Sequence, residues 1–198
     1  MTLTEYIKVN NKTHIIFDFD ATLFLLVLPW ANWKEGLKIE LVKIDATIWD
    51  EYESGSLNIA GLQNKYLNNH GQTVRDFMNN HSASFEMESL EQYKPNTDLI
   101  STLNELNHVH KFVWSSNALP VIQMVLEETG LVDKFEKIVT RQDVEFIKPS
   151  PDGFYKIYDE SVPKSAYLMV GDSSHDRGGA EAAGIDFYLT DFFNVGAQ

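Results

Sequence analysis

Residues 14–22 read HIIFDFDAT, an apolar run that ends in two aspartates separated by one residue, Asp18 and Asp20. Short, mostly apolar runs of this kind are typical of strands in a parallel sheet that is covered by helices on both faces. Four further runs follow, with segments of helical periodicity between them; they occupy residues 109–114, 135–139, 167–170 and 185–189. The pattern predicts an α/β fold.

The long interval between the first two predicted strands, about residues 24–93, has no strand signal. Its periodicity predicts amphipathic helices at 33–52, at 57–68 and from 74 to 82 or beyond, and Ser54-Gly55-Ser56 separates the first two. A helical insertion after the first strand suggests a cap over a site; the alternative is a longer crossover connection packed on the sheet. This interpretation assigns residues 1–24 and 92–198 to the core and 25–91 to the cap.

Reactive side chains stand at the ends of three predicted strands, and a lysine precedes a loop-to-helix junction before the fourth strand. In an open parallel sheet, ligands bind at the carboxyl ends of the strands, so these groups are expected at one edge. The candidate residues are Asp18, Asp20, Ser115, Ser116, Asn117, Lys148, Asp172 and Asp176.

Four aspartates packed together would repel one another and raise one another's pKa values, and a divalent cation removes that problem. Oxygen ligands without His or Cys favour Mg²⁺, which often bridges to a substrate phosphate. The lysine and the hydroxyl groups add positive charge and donors for phosphate oxygens. These groups are what phosphoryl transfer requires.

The composition excludes several classes of function. The chain has 198 residues and a formal net charge of -13, and this charge argues against nucleic-acid binding because no basic run offsets it. It contains no cysteine, which excludes disulfides and cysteine nucleophiles. The longest apolar run, residues 23–29, is too short for a membrane span of about 20 residues. We therefore expect a soluble, cytoplasmic protein without a membrane or nucleic-acid partner.

The sequence resembles the haloacid dehalogenase superfamily, and the four motifs that carry the resemblance extend across nearly the whole chain. They are IIFDFDATL (15–23), FVWSSN (112–117), KPSPDGFYKI (148–157) and MVGDSSHDRGGAEAAGI (169–185). Residues 47–63, TIWDEYESGSLNIAGLQ, resemble the cap of the subgroup that includes phosphoglycolate phosphatases and beta-phosphoglucomutases. The resemblance implies a Rossmann-like core with an inserted α-helical cap.

The resemblance also implies roles for the candidate residues. Catalysis is assigned to Asp18 and Asp20, phosphate binding to Ser115, Ser116, Asn117 and Lys148, and Mg²⁺ binding to Asp18, Asp20, Asp172 and Asp176. Asp18 is the expected nucleophile. Asp20 is the expected acid and base, and its backbone carbonyl is the expected metal ligand. Ala21 departs from the family pattern, which usually has glycine there.

The predicted function is a Mg²⁺-dependent phosphatase that hydrolyses a small phosphorylated metabolite through an aspartyl-phosphate. Asp20 favours phosphoryl transfer, because the dehalogenases of the superfamily lack this second aspartate. Two alternatives stay open: a phosphomutase, which uses the same residues, and a non-catalytic binding or regulatory module. The sequence does not choose the substrate, nor does it choose between a monomer and a homodimer.

Overall fold

The computed structural model describes residues 1–192 of the chain. Within that range the helices are α1 (Leu3–Val9), α2 (Trp30–Glu53), α3 (Ile59–His70), α4 (Gln72–Ser89), α5 (Thr97–Glu105), α6 (Leu119–Glu128), α7 (Asp152–Ile157) and α8 (Ser174–Ala183). The strands are β1 (His14–Phe17), β2 (Phe24–Val27), β3 (Gln92–Pro95), β4 (His110–Trp114), β5 (Lys137–Val139), β6 (Tyr167–Gly171) and β7 (Asp186–Leu189). None of these helices is long and apolar enough to cross a membrane.

Five of the strands form a parallel sheet in the order β5-β4-β1-β6-β7. The central strand is β1, whose first residue, His14, pairs with His110 on β4 and with Tyr167 on β6. The five apolar runs of the sequence coincide with these five strands, so the predicted α/β fold is confirmed. Because β4, β1 and β6 are parallel neighbours, their carboxyl ends lie side by side at one edge.

The central strand is apolar because both of its faces are covered. Ile15 and Phe17 pack into one hydrophobic cluster, which includes residues of α5 and α6, while Ile16 packs into a second cluster with residues of α7 and α8. All three side chains are fully buried. A strand with two buried faces has no position for an exposed polar residue, which explains the continuous run in the sequence.

The inserted helices α2, α3 and α4 have a hydrophobic cluster of their own. Its buried members include Leu37 of α2, Leu62 of α3 and Met78 of α4. Gly55, which adopts a left-handed φ of 81°, lies in the break between α2 and α3 that the sequence predicted. A separate cluster supports a helical cap, although the boundaries at residues 25 and 91 stay a prediction.

The expectation that residues 24–93 contain no strand is wrong. β2 and β3 pair antiparallel, with Phe24 opposite Pro95 and Val27 opposite Gln92, and so join the two ends of the helical insertion. Each strand has only four residues, and its partner is more than sixty positions away in the chain. A pairing between such distant short segments leaves little periodicity for a local pattern to detect.

Candidate active site

Side chains from three adjacent strand ends and one loop meet at the carboxyl edge of the sheet. Asp18 follows β1, Ser115 follows β4 and Asp172 follows β6, and these are neighbouring strands. Lys148 comes from the loop before α7 and reaches the same place. Segments separated by up to 150 positions therefore contribute to one site, as the strand order requires.

Lys148 lies at the centre of this group of side chains. Its Nζ donates hydrogen bonds to Oδ1 of Asp18 at 2.6 Å, to Oδ1 of Asp176 at 2.5 Å and to the backbone oxygen of Trp114 at 2.9 Å. The side chain is 3% exposed. An ammonium group has three hydrogens, so these bonds use all of them and fix the position of the charge beside the predicted nucleophile.

Three carboxylates, those of Asp18, Asp172 and Asp176, form a cluster whose ligand oxygens lie within 4.8 Å of one another. Lys148 pairs with two of them, so the cluster contains more negative than positive charge. Carboxylate oxygens are the ligands that Mg²⁺ prefers, and a cation would offset the excess charge. The residues present therefore fit a divalent metal ion.

Burial and mutual repulsion perturb the pKa values of this cluster. Burial raises the pKa of Asp18 to about 7, with the charge of Asp176 adding to the effect and Lys148 opposing it. Burial and Asp176 also raise the pKa of Asp172. Burial alone would raise the pKa of Asp176 as well, but the contacts with Lys148 and Ser173 outweigh it and lower that pKa. Asp176 is therefore the carboxylate that remains charged most readily.

The position before Asp172 requires glycine because α8 approaches the strand end closely. A Cβ atom added to Gly171 would lie 2.6 Å from Cβ of Asp176, a distance that real Cβ atoms do not reach. Asp176 is also held by a capping box at the start of α8, in which its Oδ2 accepts hydrogen bonds from the backbone N–H and the hydroxyl of Ser173. Together these contacts place the Asp176 carboxylate against Lys148.

Asp20 occupies a different part of the site. Its Oδ1 accepts a 2.8 Å hydrogen bond from the backbone N–H of Leu26 on β2, and burial raises its pKa to about 6. The side chain is not part of the carboxylate cluster, so its predicted role in metal binding depends on its backbone carbonyl and stays a prediction. The two-stranded sheet that the sequence analysis missed thus positions the predicted acid and base.

The three polar residues after β4 differ in their surroundings. Ser115 is 2% exposed; its hydroxyl donates to Oδ1 of Asn117 at 3.0 Å and accepts from the backbone N–H of Asn117 at 3.1 Å. Ser116 and Asn117 line the cavity described below, whereas Ser115 does not. The predicted phosphate-binding roles of all three residues stay predictions.

A cavity of about 470 Å³ lies above the strand ends, between them and the inserted helices. Asp20, Ser116, Asn117, Lys148 and His175 contribute its floor. The inserted helices contribute Trp30, Ala31, Trp33, Lys34, Tyr52, Ile59, Ala60, Gln63 and Glu86, and the loop after β5 contributes Arg141 and Ile147. The cavity has room for a small metabolite against Asp20 and Lys148.

Glu86 and Arg141, two charged residues that line this cavity, were not identified from the sequence. Both are almost completely buried, with 1% and 4% of their surfaces exposed. The spacing along α4 contained a signal for Glu86: it follows the buried residues Met78 and Ser82 at intervals of four, so it lies on the buried stripe of the helix. Arg141 follows the short strand β5 in a loop, where no pattern marks it.

Comparison with known proteins identifies the family. The sequence profile of the haloacid dehalogenase-like hydrolase family matches residues 39–190. The chain belongs to this family. Among curated proteins, it is 30% identical over 114 residues to pyrophosphatase PpaX of Bacillus cereus (strain G9842), a match that covers 57% of this chain and 50% of that protein. The chain thus spans about half the length of this relative.

Solved structures of haloacid dehalogenase-like hydrolases share the fold. A subfamily IA hydrolase from Geobacter sulfurreducens superposes with a TM-score of 0.56 at 18% identity, covering 90% of this chain and 86% of the other. The L-2-haloacid dehalogenase of Xanthobacter autotrophicus superposes with a TM-score of 0.57 at 17% identity, covering 90% and 77%. At these identities the likeness establishes the Rossmann-like fold and not the reaction.

Proposed function

We propose that this hydrolase is a magnesium-dependent phosphatase, which hydrolyses a small phosphorylated metabolite through an aspartyl-phosphate on Asp18. The observation that carries the proposal is the 2.6 Å contact between Asp18 Oδ1 and Nζ of Lys148, a lysine that lines the same cavity as Asp20. A phosphoryl group entering this cavity meets a carboxylate nucleophile beside a fixed positive charge. Residues 25–91 would act as a cap that excludes water.

In the first step an oxygen of Asp18 attacks the phosphorus atom, and the bond from phosphorus to the leaving oxygen breaks. Asp20 gives its proton to that oxygen, so the leaving group departs as an alcohol or as protonated phosphate. A pKa of about 6 suits a group that must donate and accept a proton near neutral pH, and such a group contributes roughly 10²–10⁴-fold to the rate. A bound magnesium ion would offset the negative charge of the phosphoryl group and of the carboxylates.

In the second step water attacks the phosphorus atom of the aspartyl-phosphate. Asp20, now a carboxylate, takes the proton of that water, and the bond between Asp18 and phosphorus breaks to release inorganic phosphate. Lys148 remains beside Asp18 through both steps, because three hydrogen bonds hold it. The enzyme thereby returns to its starting state.

The relatives support a phosphate-releasing activity. PpaX is a pyrophosphatase, so pyrophosphate is a natural first substrate to test beside phosphate monoesters. The proposal also includes a cytoplasmic location, a monomer or homodimer, and no nucleic-acid partner. The net charge of -13 supports the last point.

The test is phosphate release from p-nitrophenyl phosphate, pyrophosphate and a panel of phosphorylated metabolites, with magnesium or with chelator. The wild type and Asp18→Asn are compared, with Asp133→Asn as a matched control at an exposed aspartate outside the cavity. We expect magnesium-dependent release that Asp18→Asn abolishes and Asp133→Asn retains. Intact-protein mass spectrometry after an acid quench should show one added phosphoryl group on the wild type and none on Asp18→Asn.

Three results would contradict the proposal. Release that survives in Asp18→Asn would exclude the covalent mechanism. A substrate that is isomerised while no phosphate is freed would identify a phosphomutase instead. Absence of any reaction by folded, magnesium-loaded protein would favour the non-catalytic module.

A further inference from the structure

Arg141 places a buried positive charge at the same edge of the sheet as the catalytic residues. It is the second residue after β5, and its side chain lines the cavity together with Asp20 and Lys148. Strand β5 is two places from β1 in the sheet. At a spacing of about 4.8 Å between strands, their ends are roughly 10 Å apart, a distance that a compact metabolite spans.

The guanidinium of Arg141 is bound only by neutral acceptors among residues 1–192. Its Nε donates to Oδ1 of Asn79 at 3.1 Å, its Nη1 donates to the hydroxyl of Ser82 at 2.7 Å, and its Nη2 donates to Oε1 of Gln63. None of the ion pairs within that range involves Arg141. An arginine keeps its charge when it is buried, so this positive charge lacks a counter-ion in direct contact.

The nearby carboxyl group of Glu86 does not supply that counter-ion. Its Oε2 accepts a 2.8 Å hydrogen bond from the backbone N–H of Ala118, at the start of α6. Burial also raises the pKa of Glu86 to about 7, even though Arg141 opposes the shift, so at neutral pH a large fraction of Glu86 is uncharged. The cavity therefore combines a buried cation with a partly neutralised acid.

The fork of Arg141 retains donors for a ligand. A guanidinium has five N–H groups, and the three hydrogen bonds above use three of them, which leaves one on each terminal nitrogen. Planar donors of this kind match the two oxygens of a carboxylate or a phosphate. Lys34, which also lines the cavity, adds a second positive charge on the side of the inserted helices.

We propose that Arg141 binds a second anionic group of the substrate, a carboxylate or a second phosphate, so that the enzyme selects phosphorylated molecules with such a group beyond the scissile bond. This inference rests on the proposed phosphatase function. In it, the reacting phosphoryl group lies beside Lys148 and Asp18, at one end of the cavity. Arg141 binds the other end of the molecule and therefore determines which substrates the enzyme selects.

A purely structural role for Arg141 makes a different prediction. Its three partners belong to the inserted helices α3 and α4, so Arg141 also joins the cap to the core. Arg75 makes a comparable connection, because its Nη2 donates to the backbone oxygens of Gln142 and Val144, yet Arg75 does not line the cavity. Arg75→Met is therefore a matched control that weakens cap attachment without removing a charge from the cavity.

The experiment uses three substrates of matched carbon length: propyl phosphate, the phosphate ester of hydroxypropanoate, and propanediol bisphosphate. The wild type should have a kcat/KM at least about tenfold higher for the two esters with an anionic tail than for propyl phosphate. Arg141→Met should lower kcat/KM more for the two esters with an anionic tail than for propyl phosphate and so lose this preference, and Arg141→Lys should recover part of it. Arg75→Met should affect all three substrates alike. The ester whose kcat/KM falls more in Arg141→Met shows whether the preferred anion is a carboxylate or a phosphate.

A binding measurement separates this inference from the proposed function. Isothermal titration of Asp18→Asn with the same three esters reports the contact with Arg141 even where no hydrolysis occurs. Selective binding of anionic tails, lost in the double variant Asp18→Asn/Arg141→Met, supports the inference even if phosphatase activity fails. Equal loss on all three esters, or a wild type without preference, would overturn it. If Arg141→Met does not fold by circular dichroism, Arg141→Lys provides the comparison.

Discussion

Lys148 Nζ lies 2.6 Å from Asp18 Oδ1, and both side chains are buried at the carboxyl end of the central strand. The same ammonium group contacts Asp176 at 2.5 Å. The lysine, in the loop before α7, joins the end of β1 to the start of α8, so the predicted nucleophile and Asp176, a predicted metal ligand, share one cation. The proposed catalytic role of Asp18 and the stability of the fold therefore depend on the same contact.

Lys148→Met should destabilise the protein as well as inactivate it, because two carboxylates would remain buried without their cation. Removing one partner of a buried ion pair costs about 3–5 kcal/mol. We expect the largest loss in urea unfolding with chelator present and a smaller loss with magnesium, which would offset the charge. Lys94→Met, at an exposed lysine on β3, should leave the free energy of unfolding nearly unchanged. Equal stability of Lys148→Met and the wild type in chelator would contradict the role of this contact.

Thr22→Val should weaken the position of Asp172. The buried hydroxyl of Thr22 donates a 3.1 Å hydrogen bond to Oδ1 of Asp172 and so connects the loop after β1 with the end of β6. Valine has nearly the same shape without the donor, and we expect a loss of about 1–3 kcal/mol in unfolding free energy. Magnesium affinity, measured as the shift of the melting temperature with magnesium concentration, should fall as well. Thr22→Ser retains the hydroxyl and should recover most of the stability and most of the magnesium affinity. If it does not, the effect of Thr22→Val comes from side-chain packing and not from the hydrogen bond.

Ala21→Gly should stabilise the protein. Ala21 has a left-handed φ of 58°, a conformation that strains any residue with a Cβ atom, and glycine removes that strain. We expect a gain of up to about 1 kcal/mol, since the greater freedom of glycine in the unfolded chain offsets part of the benefit. Ala182→Gly, at an exposed alanine on α8, is the control. Glycine should lower the free energy of unfolding there by about 1 kcal/mol, because it is a poor helix former. A lower melting temperature for Ala21→Gly would show that the turn tolerates alanine without strain.

Glu86→Gln should change how stability depends on pH. Burial raises the pKa of Glu86 from 4.5 to about 7, so the folded protein holds this proton more tightly than the unfolded chain. The resulting stabilisation is fully present below about pH 4.5 and is lost as the pH rises through about 7. Glutamine stays neutral at every pH. The free energy of unfolding of Glu86→Gln, relative to that of the wild type, should therefore rise by on the order of 3 kcal/mol as the pH increases from about 4.5 to about 7.

Chemical denaturation of the wild type, Glu86→Gln and Glu88→Gln between pH 5 and pH 8 measures this effect. Glu88 is exposed on the same helix, and Glu88→Gln is the matched control for the loss of one carboxyl group. A difference between Glu86→Gln and the wild type that stays constant with pH would mean that Glu86 is charged in the folded protein throughout this range.

Some of the candidate site could be predicted because its residues follow strands that are visible in the sequence. Asp18 and Asp172 stand directly after continuous apolar runs, and the parallel order of β1 and β6 is the ordinary arrangement of such runs. Lys148 could be associated with them by its place at a loop-to-helix junction before β6 and by the resemblance of motifs, since its immediate neighbours do not distinguish it from other loop lysines. The contact between Lys148 and Asp176 required the folded chain.

The amino-acid sequence by itself determined the five parallel strands, the helical insertion and the chemistry at the strand ends, because these follow from local periodicity and from residue types at fixed positions. The tertiary structure decided the rest. The pairing of β2 with β3, which fixes Asp20, joins segments more than sixty positions apart. The burial of Arg141 among neutral partners depends on how α3 and α4 pack above the sheet. Such contacts depend on which distant surfaces meet, and no local pattern encodes that.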